Sequence, residues 1–201
     1  MNELMPLFLA TRNRHKTNEI QTMLGKGVVV RDATEVPELP EIEETGTTFE
    51  ANARLKAEGI SLHLPGLILA DDSGLEVDAL GGEPGIYSAR YAGPGCSDLQ
   101  NTELVLEKMR GVAPEQRAAR FRCVLAVARD GKTIATFDGT VEGMLTTEIT
   151  GGGGFGYDPI FIPEGYEKSF GELPSELKNS MSHRGRALEQ FRVWWEKETK
   201  N

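Results

Sequence analysis

Short apolar runs alternate with helical repeats through the early part of this chain, and that alternation restricts the fold more than any other feature. Residues 4–10 are apolar and end at a polar stretch, as a buried strand does. Ile20, Met23 and Leu24 then recur at helical spacing over 16–24, with Gly25 as the stop. Residues 28–30 read as a second strand, and the acidic, proline-bearing stretch 37–44 reads as a loop. Thr47 or Thr48 caps a helix that runs to about Leu64, with Phe49, Ala53, Ala57 and Ile60 on one face. Pro65-Gly66 ends it, and 67–70 is a strand expected to stop at Asp71-Asp72. Strand, helix, strand, helix, strand is the α/β pattern. The polar motifs at Thr11 and Asp71 follow strands directly, so both fall at carboxyl ends, where open α/β sheets bind ligands.

The later part reads differently. Residues 98–110 are amphipathic, with Leu99, Thr102, Val105, Leu106 and Met109 on a face. The strand-like runs 121–129 and 132–137 flank Asp130-Gly131, a hairpin signal. Residues 141–149 and 159–162 read as further strands, and 183–197 as a closing helix with Leu188, Phe191, Trp194 and Trp195 inward. A mixed sheet with helices outside accommodates all of this. A chain of 201 residues is long enough to bury a proper core as one domain, 1–201.

Composition narrows the partners. Hydrophobic residues at 39% and charged residues at 26% fit a globular chain. No apolar run reaches the roughly 20 residues of a membrane span, and the first residues lack a signal-peptide pattern, so a cytoplasmic protein with no membrane partner is expected. A net charge of −9 disfavours binding to nucleic acid, which is driven by neutralising phosphates. A small phosphate ligand then needs a local basic pocket. Cys96 and Cys123 have no metal-ligand spacing and imply no disulfide framework. Cys123 lies in the apolar run 121–127, as a buried thiol would.

Four separated polar motifs suit an anionic, metal-bound, aromatic ligand. Thr11-Arg12-Asn13-Arg14-His15-Lys16 supplies cations, and Lys16 opens a helix, so backbone N–H groups and an ammonium can meet one phosphate. Asp71-Asp72, before Ser73-Gly74, supplies hard oxygens for Mg²⁺, and buried carboxylates there need a cation. Glu43-Glu44 offers more oxygens, or else forms a solvated acidic loop before a helix N-terminus. Gly154-Phe155-Gly156-Tyr157-Asp158 supplies an aromatic face and an acceptor. The run 151–156 formally matches G-x-G-x-x-G, but that fingerprint must open a helix, and the residues after it read as turn and strand. Lys178-Asn179 and Ser182-His183-Arg184 supply further cations; Arg184 can fork onto carbonyl or phosphate oxygens.

On these motifs, and on Gly82-Glu83-Pro84-Gly85-Ile86-Tyr87-Ser88-Ala89-Arg90-Tyr91, the chain resembles the inosine triphosphate pyrophosphatase family over essentially its whole length. The resemblance implies an elongated mixed β-sheet flanked by helices, with two lobes and a central nucleotide cleft, and a homodimer. It implies hydrolysis of ITP, dITP and XTP to the monophosphate and pyrophosphate with Mg²⁺. It makes Asp72 the proton acceptor and a metal ligand, with Glu43 also near the metal. Thr11, Arg12, Asn13, Arg14, His15, Lys16, Ser73, Phe155, Gly156, Tyr157, Asp158, Lys178, His183 and Arg184 would then contact the nucleotide. The family loop usually reads Thr-Gly-Asn-x-Gly-Lys, and here Arg12 and His15 replace the glycines. Ordinary backbone angles with Arg12 near the triphosphate and His15 in solvent are expected. A binding module without turnover, and a pyrophosphatase for modified pyrimidine triphosphates, are the alternatives to the purine hydrolase.

Overall fold

The computed structural model describes residues 5–198. The strands are β1 (Met5–Leu9), β2 (Val28–Asp32), β3 (Ile68–Val77), β4 (Ala118–Arg129), β5 (Lys132–Leu145) and β6 (Phe161–Pro163). The α-helices are α1 (Arg14–Leu24), α2 (Phe49–Ser61), α3 (Asp98–Lys108), α4 (Ser175–Met181) and α5 (His183–Glu198). The strands form one sheet in the order β2-β1-β3-β4-β5-β6. β1 pairs in parallel with β2 and with β3, while β5 and β6 are antiparallel, so the sheet is mixed, as the sequence pattern implies. Leu4, placed in the first strand by its apolar run, lies outside the described residues.

The chain divides into two compact units. The first takes residues 1–72, 123–139 and 184–201, and the second 73–122 and 140–183, so the divisions fall inside β3, β4 and β5 and at the start of α5. Each unit has its own core. In the first, Leu7 and Leu9 of β1, Leu69 of β3 and Leu125 and Val127 of β4 pack with Ile20 of α1 and Leu188, Phe191 and Trp195 of α5. Each such side chain contributes about 1.5–3 kcal/mol when fully buried. In the second, Leu75 and Val77 of β3, Val105 of α3, Met109 at that helix's C-cap, and Phe121, Phe161 and Phe170 belong to the cluster. α3 buries Thr102 and Val105, and Met109 is buried at its C-cap, but Leu99 is 54% exposed, so the buried face is narrower than the apolar spacing implies.

Local chemistry sets the ends. Thr48 caps α2 by accepting from Ala51 N, and Ser97 and Gln100 form a reciprocal capping box on α3. Asp130 (φ 52°) and Gly131 (φ 74°) turn β4 into β5 with both central residues left-handed, the geometry a two-residue antiparallel hairpin needs.

Some boundaries differ from the sequence reading. The strand expected to stop at the Asp pair continues to Val77, because Leu75 and Val77 have a core to enter beyond the polar residues. The run 132–137 and the first part of 141–149 are one strand, β5, carried across Asp138, Gly139 and Thr140; it ends at Leu145, and 146–149 lie outside it. α4 has no counterpart in the reading: its sequence, SELKNSM, is short and carries little apolar periodicity.

Candidate functional site

The Asp pair sits within β3, and the two-residue period of a strand sends its side chains to opposite faces. Asp71 shares a face with Leu69, toward α1 and α5. Asp72 shares the other with Ala70. Their surroundings differ accordingly.

Asp71 is 1% exposed and accepts from Arg184, Cys123 and Lys16. Arg184 Nε donates to its Oδ2 at 2.9 Å and the Cys123 thiol at 3.1 Å, while Lys16 Nζ pairs with Oδ1. Burial by itself would raise this carboxyl, but the Arg184 guanidinium and the Lys16 ammonium overcome it and hold Asp71 well below the usual carboxylate range. Arg184, itself 1% exposed, also donates from NH1 to Glu19 at 2.6 Å. Arg184, expected on substrate oxygens, is therefore a partner of Asp71 and Glu19 in this structure.

Asp72 is 6% exposed and less well compensated. Its Oδ1 accepts from Lys56 Nζ at 3.0 Å, and its Oδ2 is buried with no hydrogen-bond partner among the described residues. Burial pushes its carboxyl up, Lys56 and Lys16 pull it down, and the Glu44 carboxylate raises it further; the sum is upward. Lys56 bridges three acceptors: Glu44 Oε1 at 2.7 Å, Asp71 O at 2.9 Å and Asp72. Burial lowers the Lys56 ammonium, but Asp72 and Glu44 outweigh it and its pKa is raised. A buried carboxylate oxygen with no donor, next to a second carboxylate, suits a hard divalent cation that takes a few protein oxygens and completes its shell with phosphate and water. Among the described residues no group of three or more carboxylate, imidazole or thiol side chains could hold a metal ion.

Of these groups, sequence reasoning named Glu44 only together with Glu43, and it missed Lys56. Glu43, the expected metal-side residue, is exposed, and its neighbour Glu44 is the one that reaches Lys56. Lys56 reads as a solvated helix lysine. The available signal was its place on α2 between Ala53, Ala57 and Ile60, all buried, which leaves its stem no route along a polar face.

The Thr11–Lys16 loop is shaped by its own side chains. Asn13 caps α1, its Oδ1 accepting from His15 N at 3.0 Å and Lys16 N at 3.3 Å, so the first amides of that helix already have an acceptor. Thr11 Oγ1 accepts from Asn13 N at 3.1 Å. Arg14 is exposed and donates to Thr34 Oγ1 at 3.4 Å; His15 is exposed, as expected. Asp130 is the one non-glycine with positive φ among the described residues, so Arg12 and His15 hold ordinary angles. The Arg12 guanidinium donates to Ala33 O and Leu39 O, each at 2.8 Å. Placed for phosphate by the sequence reading, it instead ties this loop to the segment after β2.

In the second unit, Phe155 and Lys178 come together around the Asp158 carboxylate. Asp158 Oδ2 accepts from Phe155 N at 2.8 Å and from Lys178 Nζ at 2.6 Å. Lys178, 3% exposed, lies 5.0 Å from the Phe155 ring centroid. The His183 ring stacks on Phe121 at 4.8 Å and 12°. Gly154 has φ 72°, and a side chain there would run into the Asp158 carboxylate. The glycines are followed by a 3₁₀ turn at Asp158–Ile160 and then β6, so they open no helix and bind no dinucleotide in that manner. Gly156 N donates to Asp98 Oδ2 at 2.8 Å. Tyr157, expected at the nucleotide, is 4% exposed, and its hydroxyl donates to Ser88 O at 2.7 Å; it is a core residue that braces this segment. Ser73 follows Asp72 in β3 and is half-buried.

The fold is that of an α/β protein with a mixed sheet, whose β3 sends a paired carboxylate to one face and a less compensated one to the other. The chain belongs to the Ham1 family, whose model matches residues 7–194. A dITP/XTP pyrophosphatase of Bacillus licheniformis is 47% identical over 186 residues, 92% of this chain and 95% of that protein. The solved Ham1 protein of Staphylococcus aureus superposes with a TM-score of 0.84 at 40% identity, covering 96% of this chain and 99% of that one. A HAM1 protein from Coxiella burnetii gives 0.85 at 37% identity, covering 96% and 99%. No helix among the described residues is long and apolar enough to cross a membrane.

Proposed function

We propose that this chain, acting as one domain over 1–201, hydrolyses ITP, dITP and XTP to the nucleoside monophosphate and pyrophosphate with Mg²⁺ as cofactor. The observation that carries the reading is Asp72: a buried carboxylate with an unpartnered oxygen and a raised pKa, beside Glu44 and Lys56. It gains support from the name dITP/XTP pyrophosphatase borne by a relative 47% identical to this chain.

Asp72 and Glu44 would hold the Mg²⁺, which supplies charge neutralisation at phosphate when bound. Asp72 has the character a general base needs. Its affinity for a proton is lifted by burial, so it can take one from a water it orients. Lys56 keeps Asp72 and Glu44 together while the site is empty of substrate charge. Lys16, aimed by Asp71, offers its ammonium to phosphate oxygens, and Asp71 is itself aimed by Arg184. Asp71 is thus a positioning residue, and Asp72 the reacting one. Thr11, Asn13 and Arg14 supply the loop around Lys16, with Arg12 as its tether.

The second unit's group suits a deaminated purine. Hypoxanthine and xanthine carry an O6 acceptor, which a Lys178 or His183 donor can meet; adenine presents an amino donor there, and like would face like. Phe155 offers a ring face for the base. A cytoplasmic homodimer with no nucleic-acid partner completes the proposal; Tyr87, 56% exposed, and Arg90 lie in the stretch 84–91, and both residue types are enriched in interfaces. Incubation with ITP and Mg²⁺, with products resolved by ³¹P NMR, tests the reaction. Inosine monophosphate and pyrophosphate in equal amounts are expected. Release of orthophosphate, or binding without turnover, would overturn it.

A further inference from the structure

Asn52 is fully buried in α2, at 0% exposure, and its Nδ2 has no hydrogen-bond partner among the described residues. Asn is no better than average in a helix interior, and burying an unpaired amide nitrogen costs free energy. Its other atom is engaged: Oδ1 accepts from Gly46 N at 2.8 Å. That bond fixes the amide's orientation, because the reverse would set Nδ2 against a backbone donor.

Gly46 is fitted to the same contact. A Cβ on it would stand 2.7 Å from Ala51 Cβ and 2.7 Å from Asn52 Oδ1, so the segment lies against α2 at a distance only glycine permits. Two residues earlier, Glu44 reaches Lys56, and Lys56 stands four residues after Asn52, on the same stripe of the helix. The segment is thus pinned to one helix face at consecutive turns, at Gly46 by Asn52 and at Glu44 by Lys56. Only the first pin is neutral. It does not weaken when the charges around Asp72 change, as they must when a metal-bound phosphate enters.

We propose that Asn52 is a positioning residue for the reaction: its latch on Gly46 keeps the Glu44 carboxylate beside Asp72 when Lys56 is drawn away by substrate charge. The inference rests on the reading of Glu44 and Asp72 as the metal-side carboxylates.

The test follows amide exchange at Gly46 by NMR on the full chain, together with ITP turnover across a Mg²⁺ titration, in wild type, Asn52→Ala and Asn52→Asp. Asn52→Ala should speed Gly46 exchange at least about tenfold, the loss of one hydrogen bond. It should lower kcat at least about tenfold with KM within about threefold, and raise the Mg²⁺ needed for half-activity. Asn52→Asp keeps the acceptor and should restore Gly46 protection. Gly46→Ala leaves Asn52 in place, displaces the segment, and should reproduce the loss of kcat; it decides the matter if Asn52→Ala does not fold. Unchanged Gly46 exchange in Asn52→Ala overturns the latch. Faster exchange with unchanged kcat and Mg²⁺ requirement overturns the positioning role and leaves the hydrolase reading standing. A wild type that does not hydrolyse ITP overturns that reading instead, and the role of the latch with it.

Discussion

Asp71→Asn removes one charge from the centre of the first unit and keeps its volume. The carboxylate it replaces faces Arg184 Nε at 2.9 Å, the Cys123 thiol at 3.1 Å and the Lys16 ammonium. Breaking a buried ion pair by deleting one partner costs about 3–5 kcal/mol, because the other charge stays buried. Arg184 keeps Glu19 at 2.6 Å, which argues for the lower end of that range. For a chain of this size each kcal/mol moves the melting temperature by about 2–4 °C, so about 3 kcal/mol becomes a fall of about 6–12 °C. The pH dependence has a definite sign. Asp71's carboxyl is held below its ordinary value of 3.8, so the stability it contributes is complete above that value and is lost as pH falls through the lower folded one. Calorimetry of both proteins at pH 7 should show the full gap, and the gap should narrow only in strong acid. Turnover of ITP should fall too, since Lys16 loses its guide. An Asp71→Asn protein that melts within about 2 °C of wild type at pH 7 would refute the reasoning from the buried pair.

The neighbouring carboxylate should respond in the opposite way. Because burial and Glu44 raise Asp72, its charged form is disfavoured in the folded state above that raised pKa. Asp72→Asn should therefore melt no lower than wild type at pH 7, while its ITP turnover drops at least about a hundredfold at every Mg²⁺ concentration, as expected for losing a general base and metal ligand; calorimetry and a pyrophosphate-release assay check both. Arg12→Gly deletes two charged hydrogen bonds to Ala33 O and Leu39 O and should cost about 1.5–3 kcal/mol in urea unfolding, with a modest rise in KM and a nearly unchanged kcat. A more stable Arg12→Gly would mean that the guanidinium strains the loop. His15→Gly, at an exposed position with ordinary angles, should leave kcat/KM within about twofold of wild type.

What the sequence made legible followed from local chemistry. The alternation of apolar runs with helical repeats gave the α/β sheet and its first strands and helices, and Asp130-Gly131 gave the β4–β5 turn because few other residues take two left-handed angles in succession. The polar motifs were legible as motifs, Lys16, Asp71, Asp72 and Arg184 in the first unit and Phe155, Asp158 and Lys178 in the second, but their division of labour was hidden. Asp71 and Asp72 look equivalent as letters. Only the strand's period, and what stands on each face of β3, makes Asp71 a well-paired carboxylate and leaves Asp72 with an oxygen that has no partner among the described residues. The same limit explains Arg12 and Arg184: a sequence shows a cation, and only packing shows whether a carbonyl or carboxylate has already claimed it. Lys56 and Asn52 stayed out of view because a lone polar residue on an amphipathic helix reads as surface, and its burial depends on a loop distant from it in the chain.

The most direct test is a panel of triphosphates at matched Mg²⁺, with kcat/KM measured from pyrophosphate release for ITP, dITP, XTP and ATP. A site whose buried donors meet O6 should favour the deaminated purines over ATP by at least about a hundredfold, since adenine's amino group leaves those donors unpaired. Comparable kcat/KM for ATP and ITP would contradict the account, because Lys178 and His183 would then not be reading the base.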